Sequence, residues 1–289
     1  GATPMVLMDS PRSPLGPPVR DGRPYAEIAH LAREVAPFVA VAGALERAGL
    51  AVPCILHADL DAGFVLMTDL GRDGVLDPEG RPIPERYEAT MSVLAHLHAQ
   101  PFQPDLPAGD GRTHRVPDFS RDAFLIEIDQ LLDWAWPQRK NRPASEKERE
   151  RFHAVWNRLF DRLDAAETSI LLRDVHSPNL LWQEGETGIR RVAVLDFQDA
   201  MVGPTAYDVA SLAQDARVDV ASELEQALVR TYISERKTRD AAFDEAAFRE
   251  AYAIMAAQRA TKIIGIFVRL LVRDGKPQYL RHIPRIQSY

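Results

Sequence analysis

Leu171-Leu172-Arg173-Asp174-Val175-His176-Ser177-Pro178-Asn179-Leu180-Leu181-Trp182, followed shortly by Val194-Leu195-Asp196-Phe197-Gln198-Asp199, is the stretch that decides the fold. In both runs, apolar residues suited to short strands give way to polar ones. Asp174 and Asn179 fall in one loop, and Asp196 ends a neighbouring strand. The three groups meet only if those two loops lie side by side.

Such a meeting suits phosphoryl transfer from ATP, which needs alignment and charge neutralisation more than covalent help. Asp174 would accept the proton of an attacking hydroxyl. The amide oxygen of Asn179 and the carboxylate of Asp196 are hard ligands of the kind Mg²⁺ prefers. His176 is either a second acid/base or a buried imidazole tying the loop to backbone carbonyls. The second role is the expectation, because a base already stands two residues earlier. Asp199 could reach a second metal ion or substrate, or be a solvated turn carboxylate. In Gly203-Pro204-Thr205-Ala206-Tyr207-Asp208-Val209-Ala210 a turn runs into a helix. Asp208 there is placed to accept backbone N–H bonds and hold the catalytic loop.

Composition sets the outer bounds. The chain has 289 residues, 46% hydrophobic and 27% charged, with a formal net charge of −7. It is long enough for two lobes around a cleft. The acidic balance argues against a nucleic-acid partner. Cys54 is the only cysteine, and nothing at the N-terminus reads as a secretory signal, so a reducing, cytoplasmic setting is expected. The most apolar stretch, 253–272, carries Arg259, Lys262 and Arg269. Those cations argue for a buried helix of a soluble protein and against a membrane span.

Along the chain, 5–8 reads as a strand. The Pro-rich segment 10–24 suits neither a regular helix nor a central strand. Helices are expected at 26–34 and 37–48, with Pro37 near the start of the second and Gly49 at its stop. Residues 54–58 and 64–67 read as a hairpin. A break at 69–74 marks the border between an N-terminal nucleotide-binding lobe (1–70) and a C-terminal catalytic lobe (71–289). Helices follow at 84–99, 124–136 and 147–163, with 137–148 expected as a polar, mobile loop. The motif strands come next, at 180–183 and 191–195. Helices near 204–214, 220–234 and 245–273 and a last turn complete an α+β architecture.

At these residues the chain resembles the aminoglycoside phosphotransferase/choline kinase superfamily, whose fold is similar to that of protein kinases. The resemblance rests on Arg173, Asp174, His176, Asn179, Asp196, Phe197, Gly203, Pro204, Tyr207, Asp208 and Ala210. It implies that Asp174 is the base, that Asn179 and Asp196 bind Mg²⁺, and that ATP lies between the lobes. Phe64-Val65-Leu66-Met67-Thr68-Asp69-Leu70-Gly71 resembles the family's lobe connector, which implies adenine contacts at Met67, Thr68, Asp69 and Leu70. Arg173, His176 and Asp208 would support the site. A narrower similarity joins Val6-Leu7-Met8-Asp9-Ser10-Pro11, Leu195-Asp196-Phe197-Gln198-Asp199-Ala200, and the tail around Gly265-Ile266-Phe267 and Arg273-Asp274-Gly275-Lys276-Pro277. These runs are similar to bacterial anomeric kinases of N-acetylmuramate and N-acetylglucosamine, which act in peptidoglycan recycling.

There are departures from the family pattern. Leu172 stands where histidine is common. No lysine occupies the first strand, and the sequence as given begins at what resembles the third strand of the small lobe; without the phosphate-covering hairpin before it, weak ATP affinity is expected. From Arg259 to Tyr289 seven Lys and Arg face one acid, Asp274. That balance disfavours a polycationic acceptor and favours a neutral or anionic sugar, with Arg259 and Arg269 as candidate contacts. Another small-molecule kinase (aminoglycoside, choline or homoserine type) and a non-catalytic nucleotide-binding protein are the alternatives.

Overall fold

A computed structural model describes residues 4–289. The chain opens with β1 (Met5–Asp9), then a short hairpin of β2 (Pro18–Arg20) and β3 (Arg23–Pro24), one turn of helix α1 (Tyr25–Ile28) and α2 (Ala36–Arg47). Gly49, at φ 85°, ends that helical run in the left-handed region that glycine adopts without penalty. Next come β4 (Ile55–Asp59) and β5 (Phe64–Thr68), joined by a turn in which Asp59 Oδ1 accepts the N–H groups of Asp61 and Ala62. The strands form an antiparallel sheet of order β1-β5-β4.

Beyond Thr68 the chain turns helical, with α3 (Pro84–His98), a hairpin of β6 (Asp105–Gly109) and β7 (Arg112–Arg115), α4 (Arg121–Gln130), α5 (Trp136–Lys140) and α6 (Glu146–Asp161). Four short strands follow: β8 (Thr168–Leu171), β9 (Leu180–Trp182), β10 (Val192–Val194) and β11 (Met201–Pro204). The chain closes with α7 (Ala206–Ala213), α8 (Ser222–Arg239), α9 (Glu245–Val272) and α10 (Ile283–Ile286). One apolar core runs from α2 and β5 through α3 to α9. Phe38 of α2 stacks on Phe197 at 4.9 Å, joining the small sheet's helix to the motif region. No helix among the described residues is long and apolar enough to cross a membrane.

The pairing of the four short strands builds the site. β8 pairs with β11 and β9 with β10, both antiparallel. The loop 172–179 leaves β8 and enters β9, and the loop 195–200 leaves β10 and enters β11. Two ladders thus clamp two loops side by side, and Leu195 N–H donates to Asn179 C=O (2.9 Å) where they meet.

Several expectations are corrected. The helix expected over 26–34 ends at Ile28, because the next residues serve distant partners. Ala29 C=O accepts from Arg173, His30 takes φ 53°, and Ala32 N–H donates to Asp199. Local periodicity carries no trace of those partners. Residues 10–34 consequently form an arm over the helical lobe: Arg20 pairs with Asp129, and Ile28 and Ala29 pack on Ile126.

The helix expected over 124–136 starts at Arg121 and widens into a π-helical turn, Leu131–Ala135, before α5. The mobile loop expected over 137–148 is mostly helix ends. Ser145 and Glu148 form a reciprocal capping box, and Arg142 clamps both Glu148 oxygens at 2.7 Å. β6, β7, β8 and β11 were not expected, because their apolar runs are too short to show alternation.

Candidate active site

Asp174, Asn179 and Asp196 come together. Asn179 Nδ2 donates to Asp174 C=O (2.9 Å) and to Asp196 Oδ2 (3.1 Å). Gln198 Nε2 donates to Asp196 Oδ1 (2.7 Å). Asn179 is buried, Asp174 half-buried and Asp196 exposed. Because the amide nitrogen faces both aspartates, the amide oxygen of Asn179 is its free end. One amide oxygen beside one exposed carboxylate is a donor set that fits Mg²⁺, which takes its other ligands from phosphates and water.

Two of the loop residues are held in the left-handed region, Arg173 at φ 71° and Asp196 at φ 59°. Each costs roughly 1–3 kcal/mol and persists only where its surroundings over-determine it. Arg173 has such surroundings. Asp208, fully buried on α7, accepts the N–H groups of Leu172 (2.7 Å) and Arg173 (2.9 Å), one on each oxygen. Arg259 Nη1 donates to Arg173 C=O (3.1 Å), and its guanidinium lies over the Tyr207 ring. Arg173 Nη1 donates to Ala29 C=O (2.9 Å) and Nη2 to Glu127 Oε1 (2.5 Å). At the far end of the loop, Asp215 Oδ2 accepts from Ser177 N–H (2.8 Å).

Electrostatics follow from this packing. Burial pushes the Asp174 carboxyl up, but Lys262, Arg173 and Arg259 outweigh it and hold the group below the ordinary carboxylate range. Asp199 goes the other way. Burial raises it, Asp174 and Asp196 add to that, and the Ala32 N–H on its Oδ1 (2.6 Å) offsets only part. Burial, with Arg217 nearby, keeps His176 below the usual histidine value.

A cavity of about 340 Å³ opens beside Asp196, lined by Met8, Arg33, Phe38, Met67 and Leu195 among others. Of the four connector residues, only Met67 lines it. Thr68 N–H donates to Cys54 C=O, Asp69 N–H to Pro4 C=O, and Leu70 C=O accepts from Gln183. β1 carries no lysine, and Arg33 is the one basic residue among those lining this cavity. His176 does not tie the loop to carbonyls as expected: its Nδ1 is buried without a partner. Asp208 and Asp215 hold the loop in a different way, their carboxylates accepting the N–H groups of Leu172, Arg173 and Ser177. Arg259 sits against the back of the catalytic loop. Arg269 lies farther along α9, donating to Gln130 Oε1 (2.8 Å) with its guanidinium over Tyr25.

Residues that sequence reasoning missed lie underneath. Glu127 of α4 is completely buried and accepts from Lys262 Nζ (2.7 Å) and Gln258 Nε2 (2.9 Å) of α9 as well as from Arg173. Burial alone would raise the Glu127 carboxyl, but Lys262 and Arg173 hold it down at about 2. A signal existed: lone charges inside apolar helical runs must find partners when buried. Glu127 within Phe124-Leu125-Ile126-Glu127-Ile128, and Gln258 and Lys262 one turn apart in an apolar helix, fit that description.

Residues 2–250 match the family model described as the phosphotransferase enzyme family, and the chain belongs to that family. A Caulobacter vibrioides protein named N-acetylmuramate/N-acetylglucosamine kinase is 33% identical over 295 residues, covering 98% of this chain and 80% of that one. A Neisseria meningitidis protein of the same name is 34% identical over 242 residues, covering 82% and 69%. Among solved structures, the ADP-bound aminoglycoside phosphotransferase APH(2'')-Ib aligns with a TM-score of 0.55 at 14% identity, covering 93% of this chain and 83% of that one. The fold is thus the bilobal, protein-kinase-like α+β fold.

Proposed function

We propose that this phosphotransferase moves the γ-phosphoryl group of ATP to the anomeric hydroxyl of an amino sugar, N-acetylmuramate or N-acetylglucosamine. The observation that carries the reading is the Asn179 amide bonded at once to the Asp174 carbonyl and the Asp196 carboxylate. That interlock sets a base next to a pair of hard oxygen ligands. Two relatives that span most of this chain carry that kinase name.

Asp174 accepts the hydrogen bond of the sugar hydroxyl and orients it for attack. Its low pKa makes it a modest base, which suits a hemiacetal hydroxyl, more acidic than an ordinary alcohol. Asn179 and Asp196 would hold Mg²⁺, which when bound neutralises phosphate charge. The adenine end would enter the cavity walled by Met8, Met67 and Leu195. Asp208 and Asp215 keep the loop in place between turnovers.

The test is ADP release from Mg-ATP with N-acetylmuramate, N-acetylglucosamine, choline, homoserine and kanamycin offered separately. Turnover is expected with the amino sugars. Asp174→Asn should lower kcat by roughly 10²–10⁴-fold with ATP binding retained, and Asp196→Asn should raise the Mg²⁺ requirement. Turnover confined to an amine acceptor, or normal rates in Asp174→Asn, would overturn the reading.

A further inference from the structure

The residue before Asp174 is strained and pinned from every side, and one pin ends in the core beneath the loop. Arg173 donates its N–H to Asp208, accepts at its C=O from Arg259, and donates from one guanidinium nitrogen to Ala29 and from the other to Glu127. The first three contacts engage backbone. The fourth ends on a carboxylate that is wholly buried and gathers two more donors, Lys262 Nζ and Gln258 Nε2. Lys262 Nζ also reaches the Tyr207 hydroxyl (3.1 Å) on α7, the helix that carries Asp208. A single carboxylate therefore joins α4, α9 and the catalytic loop, and Lys262 extends the link to α7.

Stability is a poor explanation for such a cluster. Buried ion pairs lose in desolvation about what they gain in attraction, and apolar side chains of the same volume often serve as well. What apolar packing cannot supply is directional bonding to the tip of Arg173. The guanidinium fork presents donors in fixed geometry, so an acceptor at its tip fixes the side chain's orientation. Through the peptide that follows, it fixes the place of Asp174.

We infer that Glu127 and Lys262 are positioning residues for phosphoryl transfer: buried beneath the catalytic loop, they act through Arg173 to hold Asp174 where it meets the acceptor hydroxyl. A base displaced by about 1 Å can cost on the order of 10²-fold in rate. Lys262 is needed as well as Glu127 because its Nζ bonds the same oxygen that Arg173 uses, Oε1, and anchors it from α9. The inference rests on the phosphotransfer reading above.

The experiment compares Glu127→Gln, Lys262→Met and the double variant with wild type. It follows steady-state kinetics on the amino sugar and Mg-ATP, and calorimetric binding of a non-hydrolysable ATP analogue. In Glu127→Gln three donors face one amide oxygen and one NH₂ group. We expect kcat to fall about 10- to 100-fold, with analogue affinity and acceptor KM within about threefold of wild type. Lys262→Met keeps the Glu127–Arg173 contact and should fall less. The double variant should recover part of what Glu127→Gln loses, because the unpaired ammonium is gone and the remaining oxygen serves Arg173 alone. Core support alone would lower stability, affinity and kcat together, with no recovery in the double variant, and that pattern overturns the inference. So does a wild-type kcat in Glu127→Gln. If Glu127→Gln does not fold, Lys262→Met decides: a kcat loss with unchanged analogue affinity supports the inference, and an unchanged kcat overturns it. Wild-type turnover that is abolished in Asp174→Asn confirms the parent reading separately, so failure of either is distinguishable.

Discussion

Replacing Gly265 with alanine sets two effects of opposite sign against each other. Gly265 lies inside α9, where alanine is favoured over glycine by about 1 kcal/mol. By helix propensity alone the variant should be more stable. The packing says otherwise. A Cβ at Gly265 would stand 2.2 Å from Gln130 C, 2.4 Å from Gln130 O and 2.4 Å from Leu131 N. All three are backbone atoms at the start of the π-helical turn, so no side chain can swing aside. To restore ordinary contact the two helices must part by about 1 Å. Overpacking of this kind costs up to about 3 kcal/mol, more where backbone must move, which leaves a net loss near 2 kcal/mol. For a chain of 289 residues that lowers Tm by about 3 °C. The same displacement pulls on function, because Lys262 and Glu127 lie one turn before the contact on their respective helices and are 2.7 Å apart. Thermal and urea denaturation, with kcat measured well below Tm, would test both parts. A Tm at or above wild type would mean that propensity wins and that the helix contact is looser than described.

Three other outcomes are expected. Asp208→Asn puts an NH₂ group against one of two loop N–H donors, so kcat should fall at least about tenfold, with a stability loss of about 1–3 kcal/mol; unchanged kinetics would show that the loop does not depend on this carboxylate. Glu127 is held at about 2 against an ordinary 4.5, so its ionised form adds stability that is fully present above pH 4.5 and lost as pH falls through that value toward 2. In urea titrations across that window, Glu127→Gln should be the less stable protein at pH 7 and the gap should close on acidification; a gap independent of pH refutes the linkage. Ser145→Ala removes half of the capping box at the start of α6. It should cost about 1 kcal/mol in chemical denaturation with kcat unaltered, and an altered kcat would show that α6 matters to turnover.

How much was legible depended on the range of the interactions involved. The strand after the Asp174 loop and the strand before the Asp196 loop could be read because each needs only a local switch between apolar and polar residues; their partners β8 and β11 could not. Asp208 could be read because a carboxylate at a helix start has few local uses. The early helix failed at Ile28 because its continuation is overruled by Arg173 and Asp199, more than a hundred residues away in sequence. Arg259 and Arg269 were read as sugar contacts from charge balance alone. Balance counts cations but says nothing of direction, and the fold turns Arg259 onto the catalytic loop's carbonyl and Arg269 onto Gln130 and Tyr25.

By itself the sequence determined the groups available: two carboxylates and one amide at the ends of short strands, and apolar periodicity enough for an α+β chain. Local spacing decides those because neighbouring residues share an element, and an element's period dictates which face each residue takes. Tertiary structure alone decided what makes the base usable. It brought Glu127 from one helix and Lys262 from another beneath Arg173 and laid the N-terminal arm across the loop. It also left the Asn179 oxygen free by turning its nitrogen toward two aspartates. A buried charge is stable only beside its partner, and partners drawn from distant segments meet only once the core that carries them has closed.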